Sequence, residues 1–448
     1  MDSTVIAAQS GNKKGSIIIP PITRNQRIST TANEEKIREQ IKSIESIIDK
    51  TVDPVANMSI NLDSTRISRP EHRERVELLR QAWKEGVWPP RKELMVAPIT
   101  MDMALTQKCS FSCTYCYANL QYNEESPVKW PVYKGLLDDM ASIGHKPGAG
   151  VKAVSLISDG ESTENPYFYD FILYGKYEKG IDMANGTNGL KLKHDRLEEI
   201  MPALTYLRFN FSAGEKEAYK QVMGVKDLQW DKVIENIKEC VRIKREKNLQ
   251  TTIGLQMVLL PEYADQVIPL ALLGKELGVD YTVIKHCSDD EYGSLGVDYS
   301  WYHSLLAKDL LKAAEALSTR EPKYTVQAKW SKMMTGRDRK YSKCFGTPLM
   351  LQISGTCLVA PCGSFFGKDY SKYHIGSYTE KSFREIWESP RYWEVVSHLG
   401  SDKFDPRKMC ATLCLQDKVN EVLFDYYESG IPLSNNSSTT APRYINFI

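Results

Sequence analysis

The chain has 448 residues, of which 42% are hydrophobic and 26% charged, and its formal net charge is +1. That length allows one large domain or two to three modest ones. The near-zero charge excludes a global field that would draw nucleic acid or an acidic membrane. The longest apolar runs, such as Thr252 to Leu260, are too short to span a bilayer, and the opening MDSTVIAAQSGNKKG lacks the basic-then-apolar order of a secretion signal. A cytoplasmic location is therefore expected.

Residues 1–30 are polar without steady periodicity and read as a disordered arm. A helical extension is expected over 31–94. Within it, Ile37, Ile41, Ile44, Ile47 and Ile48 recur at helical spacing between Asn33 and Val52, and a second helix runs from about Pro70 to Gly86. Pro89 and Pro90 then break the chain before a strand near Leu94 to Met103. Over 95–300, strand-like runs (Val151–Ile157, Gly180–Asn185, Tyr206–Phe211, Thr251–Leu259, Asp280–Lys285) alternate with helical ones (Pro131–Ser142, Leu190–Met201, Glu215–Val222, Trp230–Glu246, Ala264–Leu277). This alternation predicts a parallel sheet with crossover helices. The expected fold is α/β: a partial (β/α)6 TIM-like barrel, with ligands gathered at the C-terminal ends of its strands. A helical linker over 301–339, built on Trp301 to Leu317, leads to a small cysteine-bearing domain at 340–430. Residues 431–448 read as a polar tail, disordered over Leu433 to Pro442.

Ten cysteines without a secretion signal point away from disulfides and towards metal ligation or catalysis. Cys109, Cys113 and Cys116 form C-x3-C-x2-C just after the first expected strand. A loop of this spacing can wrap three thiolates around one corner of a [4Fe–4S] cubane. Because such a cluster normally takes four thiolates, one iron is left open. The amino and carboxylate groups of S-adenosylmethionine fit that position, and an electron from the cluster would split its sulfonium to a 5′-deoxyadenosyl radical. A zinc site is the competing reading, since C-x2-C also occurs in zinc ribbons.

Taken together, these residues resemble the radical S-adenosylmethionine (SAM) superfamily, whose motif is C-x3-C-x-aromatic-C. Tyr115 supplies the aromatic, which the resemblance places against the adenine. Gly160 and Glu161, after the second strand, resemble the family's G-G-E-P, with departures at Asp159 and Ser162; Glu161 would accept from the cosubstrate's ammonium. Asn188 lies in Thr187-Asn188-Gly189, which looks like the family's T-N-G, and Arg208 and Ser212 sit where the fourth strand contacts ribose and carboxylate. Gly254 to Val258 fits the strand that brackets the adenine. The resemblance spans about residues 95–290.

A second group comprises Cys344, Cys357, Cys362, Cys410 and Cys414. With His374-Ile375-Gly376-Ser377 and Phe383-Arg384-Glu385-Ile386-Trp387, it resembles the SPASM or twitch extension of the same superfamily. The resemblance implies an auxiliary [4Fe–4S] cluster on Cys344, Cys362, Cys410 and Cys414, closed on all four irons. A full SPASM domain carries more cysteines and two clusters, and the interval from Gly355 to Cys362 is longer than usual, so a single cluster is expected, with structural zinc as the alternative.

Cys287 and Cys357 remain as candidate hydrogen-atom donors to a substrate radical, against a plain reading as small buried hydrophobes; Cys240 reads as packing. Lys285 and His286 either bind a substrate carboxylate, phosphate or hydroxyl or are solvated loop residues. Asp289, Asp290 and Glu291 read as a solvated turn. The resemblance implies a peptide or protein side chain as substrate in most relatives, a carbohydrate or aminosugar in others, and an external electron donor such as flavodoxin or ferredoxin. Residues 30–90 lack the hairpin of a peptide-binding winged helix, which counts against a peptide. A zinc-stabilised, non-catalytic binding protein is the rival outside enzymology, and RNA modification is disfavoured by the absence of a basic patch.

Overall fold

Short, largely buried strands, each followed by a crossover helix, build the sheet that organises this molecule. The computed structural model describes residues 30–48, 64–121, 128–290, 292–336, 338–412, 414–434 and 443–448. Six strands follow the expected alternation: β1 (Thr100–Met103), β2 (Ala153–Leu156), β3 (Asp182–Thr187), β4 (Leu204–Asn210), β5 (Thr252–Leu259) and β6 (Tyr281–His286). Each pairs in parallel with the next. Crossover helices Trp130–Ser142, Phe168–Leu173, His194–Ile200, Asp227–Glu246 and Val267–Leu277 bury the outer face, which is why β1 and β2 are buried at every position. The chain is a mixed α/β protein dominated by a parallel sheet, a partial TIM-like barrel.

Four strands lie outside that expectation. β7 (Thr325–Ala328) pairs in parallel with β6, inside the stretch expected to be a helical linker, of which Leu305–Glu315 and Trp330–Thr335 are helical. Four residues are too few to show a period, so this strand is set by the open edge of β6 rather than by local pattern. At the opposite edge, β8 (Met350–Ile353) pairs in parallel with β1, and β9 (Leu358–Ala360) and β10 (Gly376–Ser377) continue antiparallel. The cysteine-bearing C-terminal region thus extends the barrel sheet itself, in the order β10-β9-β8-β1-β2-β3-β4-β5-β6-β7.

The helical extension is seen as Thr30–Ile44 and Pro70–Glu85, with Gly86 closing the second helix at φ 65°. Ile37 and Ile44 are buried, whereas Ile47 is exposed. Lys36 ties the first helix to Glu215 and Asp265. No strand occurs among the described residues before Thr100. The expected arm, 1–29 at least, lies outside the described residues.

Arg75 is buried beneath the sheet and donates to the carbonyls of Ala97, Pro98, Ala149 and Gly150, satisfying the chain entries to β1 and β2. The end of the chain plugs the same mouth. Residues 443–448 fall in the expected polar tail, yet Ile445 and Phe447 are buried, and the Phe447 ring packs edge-on to Tyr206. Thr100 Oγ1 donates to the Asn446 carbonyl and Asn446 Nδ2 to Asp182. His72 Nε2 meets the Ile445 carbonyl at 3.1 Å, and Arg66 donates to the Phe447 carbonyl. Three apolar side chains in six residues suffice to hold this segment, although a run so short shows no periodicity.

Candidate active site

The loop after β1 carries the first three cysteines and is clamped from two sides. Ser112 and Thr114 donate their N–H groups to the carbonyls of Met223 and Val222, at 3.3 and 2.9 Å. This close approach needs Gly224, where a Cβ would lie 2.3 Å from the Ser112 carbonyl oxygen. On the other side the Glu161 N–H donates to the Lys108 carbonyl, at 2.9 Å. Gly160 makes that contact possible: at φ +97° it presses on the loop where a Cβ would meet Thr106 O at 2.2 Å.

Glu161 is buried, and its carboxylate is fixed by four donors. Oε1 accepts from Thr163 N, Thr163 Oγ1 and Thr187 Oγ1, and Oε2 from Asn188 N at 2.6 Å. Burial raises its pKa against these bonds. Asn188 turns its side-chain amide to Cys109 Sγ at 3.6 Å while its Oδ1 accepts from Leu190 N. The loops after β1, β2 and β3 are therefore one lattice, with Glu161 at its centre.

Tyr115 points away from solvent, donating to Met223 Sδ at 3.2 Å and accepting from Ser212 Oγ at 2.9 Å. Ser212 is fully buried and also accepts from Val258 N. Its hydroxyl thus positions the partly buried Tyr115 ring against the loop. Arg208, half-buried on β4, lies with its guanidinium 5.8 Å from the Tyr206 ring, and its Nε has no partner. It faces Asp102 of β1, whose carboxyl burial pushes up to about 7.

Cys109 stands open at the barrel mouth; Cys113 and Cys116 are less accessible. Burial raises all three thiols, that of Cys109 to about 12, and each of Cys109 and Cys113 is raised further by its neighbours' charge. Thiolates this close repel one another until a bound cationic centre takes up the charge, so the donor set fits an iron–sulfur cluster. Among the described residues no group of three or more His, Cys, Asp or Glu side chains is arranged to hold a single metal ion. Thiolates at the corners of a cubane stand farther apart than the ligands of one ion.

The second set is assembled from distant segments. Cys344, Cys362 and Cys410 each respond to the charge of Cys414, which in turn feels Arg339 and Asp417. Asn420 donates to Cys344 Sγ at 3.6 Å and accepts from the N–H groups of Phe345 and Gly346. Tyr341 OH approaches Cys414 Sγ at 3.6 Å, and the buried Arg339 donates to the carbonyls of Ala411 and Thr412. Buried donors and a cation around thiolates are what an anionic cluster requires.

Cys357 is not brought to this set. It sits at φ 69° in the turn between β8 and β9, buried against Tyr378 in the helix layer beside Tyr133. Cys287 is fully buried after β6, its N–H donating to Tyr302 OH and its thiol within reach of the charges on Lys285 and Cys116. Cys240 is buried in the helix Asp227–Glu246, as packing.

Three features escaped the sequence reading. Asp159, a departure from the motif, accepts from Gly355 N at 2.8 Å and from Gln107 Nε2 at 2.7 Å, tying the cysteine loop to the β8–β9 turn. Asp289, expected in a solvated turn, is fully buried and donates its N–H to Thr412 Oγ1 at 2.7 Å, beside Cys410 and Cys414. His286, expected either to bind substrate or to face solvent, does not face solvent: it is buried on the outer face of β6 against Tyr299 and Tyr302. The ties of Asp159 to Gly355 and of Asp289 to Thr412 span more than a hundred residues, which local pattern does not carry.

An α/β barrel bearing one thiol loop at its strand ends and one four-thiol site beside them defines an iron–sulfur protein. Residues 103–271 match the model of the radical SAM superfamily, and residues 344–415 match that of SPASM, an iron–sulfur cluster-binding domain. The chain belongs to the radical SAM superfamily and carries a SPASM-type auxiliary domain, so it binds SAM and iron–sulfur clusters. No curated protein matches the sequence. Among solved structures it is similar to Streptococcus suis SuiB bound to its precursor peptide SuiA, at 17% identity and a TM-score of 0.53 over 77% of this chain and 75% of that one. It is also similar to SuiB bound to S-adenosylmethionine, at 17% identity and a TM-score of 0.52 over 71% and 73%.

Proposed function

We propose that Cys109, Cys113 and Cys116 hold the SAM-binding [4Fe–4S] cluster, and that the enzyme abstracts a hydrogen atom from a peptide or protein residue, as a maturase that oxidises or epimerises it. The lattice of Glu161, Asn188 and Cys109 at the strand ends carries this reading. It sets a carboxylate and an amide beside the loop, where the ammonium and carboxylate of SAM need partners. When bound, the reduced cluster supplies the electron that splits the SAM sulfonium. Gly160 sets the distance between the two loops, Ser212 holds the Tyr115 ring, and Arg208 offers a cation to the ribose or carboxylate. Cys344, Cys362, Cys410 and Cys414 hold an auxiliary cluster with no open iron. Cys287, whose thiol feels the charges of Lys285 and Cys116, is the proposed donor of a hydrogen atom to a substrate radical; the helix-layer position of Cys357 supports no such role.

The peptide reading is supported by the likeness to SuiB, which binds a precursor peptide. Among the described residues no helix is long and apolar enough to cross a membrane. We place the enzyme in the cytoplasm, with flavodoxin or ferredoxin as reductant. Reduced, reconstituted protein should convert SAM to 5′-deoxyadenosine, and Cys113→Ala should make none; equal product from both would refute the assignment.

A further inference from the structure

Four cations gather inside the barrel, and two of them, Lys285 and Lys329, have no carboxylate acting on them. Along β6, Thr282 hydroxyl meets Tyr324 OH in the outer layer, and His286 packs outward against Tyr299 and Tyr302. Lys285, between them in parity, faces the interior together with Tyr281, whose ring lies over Gly254 of β5. Gly254 pairs with Arg208 of β4, which shares that face. Ala328 pairs with Ile284, so Lys329, whose N–H donates to the Ile284 carbonyl at 2.8 Å, stands beside Lys285. Lys332, one turn into the helix Trp330–Thr335, reaches from there to the Cys414 carbonyl at 3.4 Å.

These side chains keep part of their surface open, yet burial hinders the charge on Lys285 and Lys329. The charged groups acting on Lys329 most strongly are Lys332, Arg208, Arg66 and Lys285, all cations, and Lys285 feels Arg208 and Lys332. Asp102 answers Arg208 and Lys332 from β1, and Cys414 and then Asp417 act on Lys332, whereas Lys285 has only the Cys287 thiol and no carboxylate acting on it. Cations gathered without counter-charge repel one another and are costly to bury. Such an arrangement is stable and useful when an anion completes it.

We infer that Lys285 and Lys329, with Lys332 at their flank, form a subsite for an anionic group of the substrate, a carboxylate or a phosphate, seated inside the barrel beside the SAM site. The inference rests on the radical SAM reading and narrows its substrate. A peptide would present an acidic or phosphorylated side chain there, and the two lysines would hold the substrate without touching the atoms that react.

The test uses the reconstituted holoenzyme with SAM, titrated calorimetrically with inorganic phosphate, N-acetylglutamate and its neutral isostere N-acetylglutamine. At least one anion should bind tenfold or more tightly than the amide, the better of the two naming the source. Lys285→Met and Lys329→Met should each remove that preference, and Lys285→Arg should keep it. Iron content, SAM affinity and 5′-deoxyadenosine formation without substrate should remain unchanged in all three variants. Equal binding of the three probes, or a preference that survives both methionine variants, overturns the subsite. So does a parallel loss of SAM affinity or auxiliary iron, which would make the lysines counter-ions of the cofactors. Failure here with normal 5′-deoxyadenosine formation leaves the radical SAM reading intact.

Discussion

The two mouths of the barrel are built on opposite principles. At the C-terminal ends of the strands the chain places thiols, a buried carboxylate and a group of cations; at the N-terminal ends it places a plug held chiefly through backbone carbonyls. Arg75 below has its donors on four carbonyls, whereas Arg208 above leaves Nε without a partner. The upper mouth keeps its bonding capacity for ligands, and the lower mouth uses its own to close the fold. Substitutions above should therefore remove iron and turnover at modest cost in stability, and substitutions below should do the reverse.

The largest effect is expected at Gly160. Alanine there must adopt φ +97° and would set a Cβ 2.2 Å from Thr106 O, so the cysteine loop has to move. The backbone conformation alone costs at least about 1 kcal/mol. The greater loss is functional: Gly160→Ala should abolish 5′-deoxyadenosine formation and lose about four irons per chain, the content of one cubane. Full activity in that variant would break the contrast between the mouths. Cys414→Ser should come next, losing the auxiliary irons while the electron paramagnetic resonance signal of the SAM-bound cluster persists. Loss of both signals would mean that the two sites fold as one.

Phe447→Ala tests the lower mouth. The ring is buried against Ala153, Ala184 and Tyr206, and truncation of such a side chain costs about 3 kcal/mol. Thermal unfolding should shift down while iron content and turnover per folded molecule hold. A proportionate fall in activity would show that the plug reaches the chemistry.

How much of each mouth could be read in advance follows from the same contrast. The upper loop packs Cys109, Cys113, Tyr115 and Cys116 into eight consecutive positions, 109–116, so one short motif exposes the cofactor chemistry. Glu161 and Asn188 follow in strand order and were marked only by a looser resemblance, which departs at Asp159 and Ser162. The ties made by Asp159 and Asp289 were not, because their partners Gly355 and Thr412 come from the C-terminal region. The plug was misread as a polar tail, because a six-residue segment takes its burial from the barrel it enters and not from any pattern of its own. β7 was missed for the same reason.

The smallest effect concerns pH and is confined to the lower mouth. His72 is buried, and desolvation holds its imidazole down to about 4, with the Arg75 charge adding to this and the bond to the Ile445 carbonyl opposing it. Unfolded, the ring titrates near 6.5. A group with a lower pKa in the folded chain contributes its full stability above 6.5. That contribution is lost as pH falls towards 4, since protonation then favours the unfolded state, by up to about 1.4 kcal/mol per pH unit. His72→Gln keeps a donor for the Ile445 carbonyl and cannot titrate, so its stability should change less than the wild type's between pH 6.5 and 4. Parallel pH profiles for the two proteins would place the acid sensitivity elsewhere. The iron content of both should follow one curve through that window, because the ring lies beneath the sheet and the thiols above it.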